Sequence, residues 1–123
     1  MEIRNREPFD LEGRTLRFAR EVRVLIKRVP YSISNRADLY QLAKSSGSVG
    51  ANYLEANNAL SRKDFVMRVR ISLKEAKESG YWLRLLDLPG EAKALESERS
   101  RVIRESDELV RNFSTIIQKS VPV

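Results

Sequence analysis

The sequence predicts an all-α protein, an up-down-up-down antiparallel four-helix bundle, on three observations. Apolar residues recur at spacings of three and four through most of the 123 residues, the mark of helices with one buried face. Breakers are few and well spaced, at Pro8, Pro30, Pro89-Gly90 and Pro122, and no strand-like alternation persists between them. The four helical segments run ~20–28 residues with short turns between, which suits antiparallel neighbours in a bundle ~30–40 Å long.

The first helix, about 10–29, opens on Asp10 as N-cap. Leu11, Thr15, Phe18, Val22, Leu25 and Val29 share one face, and Pro30 stops it. A second helix, about 34–59, starts from Ser34 or Asn35 and lines up Leu39, Leu42, Ser46, Val49, Tyr53 and Asn57. Ser61-Arg-Lys-Asp64 resembles a capping box and opens the third, about 61–87. The fourth, about 91–119, carries Leu95, Val102, Ile103, Ser106, Leu109, Val110, Phe113, Ile116 and Ile117. Nothing divides residues 1–123 into a second domain, and no repeat or low-complexity tail is present.

Helix 2 is rich in small residues. Ala43, Gly47 and Ala51 repeat every four, as do Ser46 and Gly50. Each mid-helix glycine costs about 1 kcal/mol against alanine, so Gly47 and Gly50 are expected to permit close helix packing, with a kink near Gly47 as the alternative. A phosphate loop in Ser45-Ser-Gly-Ser-Val-Gly50 lacks the Gly-Lys-Ser/Thr ending and a preceding strand.

Helix 3 shows chemistry on three sides. Phe65, Val69, Ser72, Leu73, Ala76, Gly80, Leu83 and Leu86 form its core face. Beside it runs Arg70, Lys74, Lys77, Tyr81 and Arg84, four cations and an aromatic at 4-3-4-3 spacing. Such a stripe can track a phosphate backbone with Tyr81 stacking on a base; the ordinary alternative is a solvated basic face. The third side carries Met67, Ile71, Trp82 and Leu85 with Glu75 and Glu78. An apolar outer face calls for burial against another subunit, with Trp82 as its anchor. Core and outer faces could also be exchanged.

Charge follows the same division. Twenty-three Lys and Arg stand against 17 Asp and Glu, a net charge of +6, which favours polyanionic partners. The excess lies in segment 10–29, with six basic and three acidic residues, and in segment 61–84, with seven and three. Arg20, Arg23 and Lys27 form the outer face of helix 1.

Zero cysteines and zero histidines remove disulfides, thiolate sites, the commonest general base and the commonest metal ligand. A di-iron bundle site needs Glu-x-x-His; Glu75-x-x-Glu78 and Glu55 leave only a carboxylate magnesium site, against the plainer reading of surface ion pairs. Ser45, Ser46 and Ser48 have no activating base. No enzyme activity, cofactor or metal is expected. The charged N-terminus and the lack of a long apolar run make the cytoplasm the expected address, with no membrane association.

Three segments carry a resemblance: Ser46-Gly-Ser-Val-Gly-Ala-Asn-Tyr-Leu-Glu-Ala56, Ser61-Arg-Lys-Asp-Phe65 and Leu73-Lys-Glu-Ala-Lys-Glu-Ser-Gly-Tyr-Trp-Leu83. Through them the chain, from about Phe9 to Ile117, resembles the four-helix-bundle proteins encoded in intervening sequences of bacterial 23S rRNA genes. The accessory variability determinant of diversity-generating retroelements is a more distant relative. The resemblance implies a bundle assembled as a ring, usually a pentamer, with a basic surface and no enzyme activity. For the retroelement relative it implies binding of nucleic acid and of a reverse transcriptase. Gly50, Asn52, Glu55, Asp64, Glu75 and Trp82 match the family's motif positions, and most of them read as packing or assembly residues.

The expected function is therefore a homo-oligomer binding RNA or DNA backbone through helices 1 and 3, largely without sequence specificity. The alternative is an adaptor or scaffold whose charge steers it to an acidic or reverse-transcriptase-like protein, with no direct nucleic-acid role.

Overall fold

The computed structural model describes residues 10–121; Pro8, Phe9 and Pro122 lie outside them. Four helices follow one another, α1 Leu11–Ile26, α2 Ile33–Asn57, α3 Arg62–Leu85 and α4 Glu96–Ser120, the last preceded by a 3-10 segment, Gly90–Leu95. Together they form an all-α four-helix bundle. Asp10 caps α1 by accepting from the Gly13 amide at 3.1 Å, and Ser61 caps α3 from the Asp64 amide at 3.1 Å.

The ends differ from the sequence reading for local reasons. α1 stops at Ile26 because the chain tightens ahead of Pro30, with Arg28 N–H donating to Leu25 and Val29 N–H to Ile26. α2 is capped by Ser32, in extended conformation, rather than by Ser34 or Asn35. Asn35 is buried and its side chain is used elsewhere: Nδ2 donates to the carbonyls of Pro30 (3.1 Å) and Asp87 (2.8 Å), and Oδ1 accepts from the Asp87 amide (2.8 Å). One side chain thus ties the α1–α2 turn to the exit of α3. Gly90, at φ +55, makes the next turn in a left-handed conformation that suits glycine. Arg99 of α4 then donates to the carbonyls of Leu83 and Leu86, covering the open C-terminus of α3.

The core is one cluster, with Phe18, Leu42, Val69, Leu83, Leu109 and Phe113 fully buried at its centre. Each such side chain contributes roughly 1.5–3 kcal/mol of burial. On α2 the inner face is rotated from the expected one: Ser45 and Ser46 are buried with Leu42 and Val49, while Asn57 is exposed and donates to Glu12 at 2.7 Å.

Three seams are built from small residues. Between α2 and α3, the most extensive, the Ser45 and Ser79 hydroxyls meet at 3.0 Å and Ser72 donates to the Val49 carbonyl at 2.8 Å. Between α1 and α2, a Cβ on Gly50 would fall 2.8 Å from Thr15 Oγ1. Between α3 and α4, one on Gly80 would fall 3.1 Å from Ser106 Oγ. The α1–α4 seam is thinner and is crossed by the ion pairs Arg14–Glu105 at 3.1 Å and Arg101–Glu21 at 2.9 Å, with Arg28, just past the end of α1, paired to Glu98 at 3.0 Å. α1 and α3 each lie between α2 and α4, so they stand at opposite corners.

Candidate nucleic-acid interface

α3 positions the basic stripe. With Val69, Ser72, Ala76 and Leu83 buried, the helical period turns Arg70, Lys74, Lys77, Tyr81 and Arg84 outward together, and all five are exposed. Their charges are not equally available. Lys74 Nζ lies 4.0 Å from Glu75 and 3.9 Å from Glu78, and Arg84 reaches Asp107 of α4 at 3.5 Å. Exposed pairs of this kind contribute little and exchange readily for another anion. Arg70 and Lys77 have no ion pair among the described residues. Tyr81 sets the edge of its ring against Trp82, centroids 5.1 Å apart, and stays more than half exposed.

Helix 1 contributes differently. Arg20 and Lys27 are exposed and unpaired among the described residues. Arg23 instead crosses to α2, donating to Ala43 O at 3.3 Å and Ser46 Oγ at 3.4 Å. Because α1 and α3 occupy opposite corners, the cations of helix 1 and the stripe of helix 3 form two separate surfaces.

Arg23 also bears on the glycines. Gly50 is pressed against Thr15, whereas the nearest atom to a Cβ on Gly47 is the Arg23 guanidinium, at 3.3 Å. Gly47 is therefore no close helix–helix contact; it lies under a flexible side chain in a surface groove, within an unbroken α2.

On the third side of α3, Met67 and Leu85 are exposed by nearly half. Ile71 is half-buried, and Trp82 packs partly against the protein's own core. Glu75 sits on this side too. Burial, and then the neighbouring Glu78, push its carboxyl above the usual carboxylate range against the pull of Lys74 and Lys44. Folding thus favours the protonated form, so this stabilisation is full below the ordinary glutamate pKa and lost as pH rises through the raised value. Glu75→Gln should accordingly raise Tm relative to wild type at pH 7, with the difference shrinking toward pH 4. Scanning calorimetry showing a pH-independent difference would sink that account.

A second apolar surface escaped the sequence reading. Between α1 and α2 runs a groove of about 730 Å³, apolar at Leu16, Ala19, Gly47, Ala51 and Leu54 and polar at Asp10, Glu12 and Asn57. Leu16 and Leu54 are half exposed, and Tyr40 and Ile33 continue the face along α2 at 69% and 83% exposure. The signal was present as Ile33, Tyr40, Gly47 and Leu54, spaced seven apart. Another concavity, of about 540 Å³, lies where α3 begins and α4 ends, among Arg62, Lys63, Val66, Met67, Arg70 and Val121.

Among the described residues no group of acidic side chains is arranged to hold a metal, and no helix is long and apolar enough to cross a membrane. A family model described as 23S rRNA-intervening sequence protein matches residues 10–117. Among solved structures, the chain is similar to a protein of unknown function from the S23 ribosomal protein family of Bacteroides thetaiotaomicron. The two share 29% identity over 88% of this chain and 98% of that one, with a TM-score of 0.71. No curated protein matches the chain.

Proposed function

Since this chain belongs to the 23S rRNA-intervening sequence protein family, we propose that it is a non-enzymatic, ring-forming homo-oligomer of the cytoplasm. In this reading it binds the backbone of RNA or DNA without sequence readout. The observation that carries the proposal is the α3 stripe: five side chains exposed on one side of one rigid helix, with Arg70 and Lys77 unpaired among the described residues. Phosphate contacts position a nucleic acid without reading its bases, and a ring repeats each weak stripe into avidity.

The model requires log affinity to fall steeply with log salt. Fluorescence anisotropy with structured RNA and with DNA, between ~50 and ~300 mM salt, is the measurement. Replacing Arg70, Lys74, Lys77 and Arg84 with Gln should flatten the slope and leave the oligomer intact. Absence of wild-type binding at low salt, or equal binding by the quadruple variant, would return the stripe to a solvated face. The adaptor for an acidic or reverse-transcriptase-like protein would then be the better reading.

Two unlike, partly apolar surfaces support assembly. A closed ring uses head-to-tail contacts, in which one patch of each subunit meets a different patch of the next. The side of α3 carrying Ile71, Trp82 and Leu85, with Met67 at its border with the concavity where α3 begins, and the groove between α1 and α2 are two such patches. The exposed Ala51, beyond the Arg23 side chain that covers Gly47, suits close approach of a neighbouring helix. Light scattering after size exclusion should report a multiple of the 14.2 kDa chain, a pentamer in the expected case; a monomer refutes the ring.

A further inference from the structure

The concavity at the start of α3 extends the stripe and changes its character. Lys63 lies seven residues before Arg70, so Lys63, Arg70, Lys74, Lys77 and Arg84 fall along one side of the helix. The line is ~32 Å long at 1.5 Å per residue. Lys63 and Arg70, like Arg62 beside them, are exposed and have no ion pair among the described residues. Between them the surface becomes apolar: Val66 and Met67 of α3 meet Val121 at the end of α4, and Met67 and Val121 are each exposed by more than 40%. Farther along, Tyr81 interrupts the cations again, between Lys77 and Arg84. The surface therefore alternates charge with apolar footing.

A double helix matches the charges alone. It offers its phosphates outward and keeps its base faces stacked inside, so Met67 and Tyr81 would lie against sugar and phosphate. An unpaired strand offers both elements, a charged backbone and free base faces that stack on apolar or aromatic side chains. We infer that the ligand of this surface is an unpaired stretch of nucleic acid. One base seats in the concavity on Val66 and Met67, another lies on Tyr81, and the intervening phosphates follow Arg70, Lys74 and Lys77. This rests on the nucleic-acid reading above and adds to it the strandedness of the ligand.

The test uses the full chain, labelled single strands of oligo(dT) and oligo(rU) about 15 nucleotides long, and a blunt duplex of equal length, at low salt. Either single strand should bind at least ~10-fold tighter than the duplex, from stacking of two bases. The RNA and DNA arms distinguish the source of the strand. Met67→Ser with Tyr81→Ser, both at exposed positions, should bring single-strand affinity down to the duplex value and leave the salt slope unchanged. Lys63→Gln with Arg70→Gln should instead lower the slope, by ~0.7 for each phosphate no longer neutralised, while some strand preference survives. Circular dichroism on each variant confirms that the helices are retained. Duplex binding as tight as single-strand binding, or a serine variant that keeps the preference, overturns this inference and leaves the backbone-binding proposal standing. Failure to bind any of the three probes overturns both.

Discussion

Asn35→Ala should lower the unfolding free energy by about 3 kcal/mol, a large effect for a substitution that removes so few atoms. The side chain is 1% exposed and makes three hydrogen bonds to backbone, one with Pro30 and two with Asp87. Alanine would leave two carbonyls and an amide at a closed end of the bundle without their partner, and desolvated unpaired groups cost ~1–3 kcal/mol each before any relaxation. Asn35→Asp keeps an acceptor for the Asp87 amide but loses both donations and buries a charge, so it should be no better than alanine. Urea titration at fixed protein concentration reads the change, since assembly would otherwise shift the midpoint. A loss below ~0.5 kcal/mol would mean that water replaces the side chain there.

Gly50→Leu should cost a similar amount, about 3 kcal/mol, for the opposite physical reason. The site is overfilled by a single added carbon, which would lie 2.8 Å from Thr15 Oγ1 and 3.1 Å from Thr15 Cβ. Thr15 cannot readily yield, because it is buried and its hydroxyl donates to the Leu11 carbonyl at 2.7 Å. α1 and α2 would have to part. Gly50→Ala combined with Thr15→Ala should recover part of the loss, and a strictly additive double-mutant cycle would refute the contact. Gly47, one turn away, is the internal contrast. Only the end of Arg23 opposes a side chain there, so alanine gains helix propensity at little steric cost.

These two glycines show how far the sequence could be read. Spacing alone marked helix 2 as rich in small residues; which of them touches a neighbouring helix depends on rotation about the axis, and the small residues left that rotation weakly specified. On α3 the apolar pattern picked out the core face and the stripe beside it but left the core and the outer apolar face exchangeable; the burial of Val69, Ser72, Ala76 and Leu83 decides between them. What α4 brings to the stripe was not: Asp107 against Arg84, and Val121 closing the concavity beside Met67, come from more than twenty residues away in sequence. Ser32 lost the cap assignment to nearer polar residues, because the three-way role of Asn35 exists only after α3 has returned to the same end. The outer face of α2 was legible in its seven-residue spacing, but Tyr40 and Gly47 do not register as a conventional apolar stripe.

The ion-paired seam between α1 and α4 gives the fold an order in time. Its three bridges join residues 91, 80 and 70 positions apart, Arg14 to Glu105, Glu21 to Arg101 and Arg28 to Glu98. The other helix contacts described above link helices adjacent in the chain and close smaller loops, which is quicker. On the ribosome α1 emerges first, yet its second neighbour is made last. Through most of synthesis α1 has only α2 to lie against, at the Thr15–Gly50 contact. Closure of the bundle then brings Phe18, Val22 and Leu25 of α1 into one core with Leu109 and Phe113 of α4, while the charges, whose attraction acts over several ångströms before side chains interlock, guide the approach at the surface.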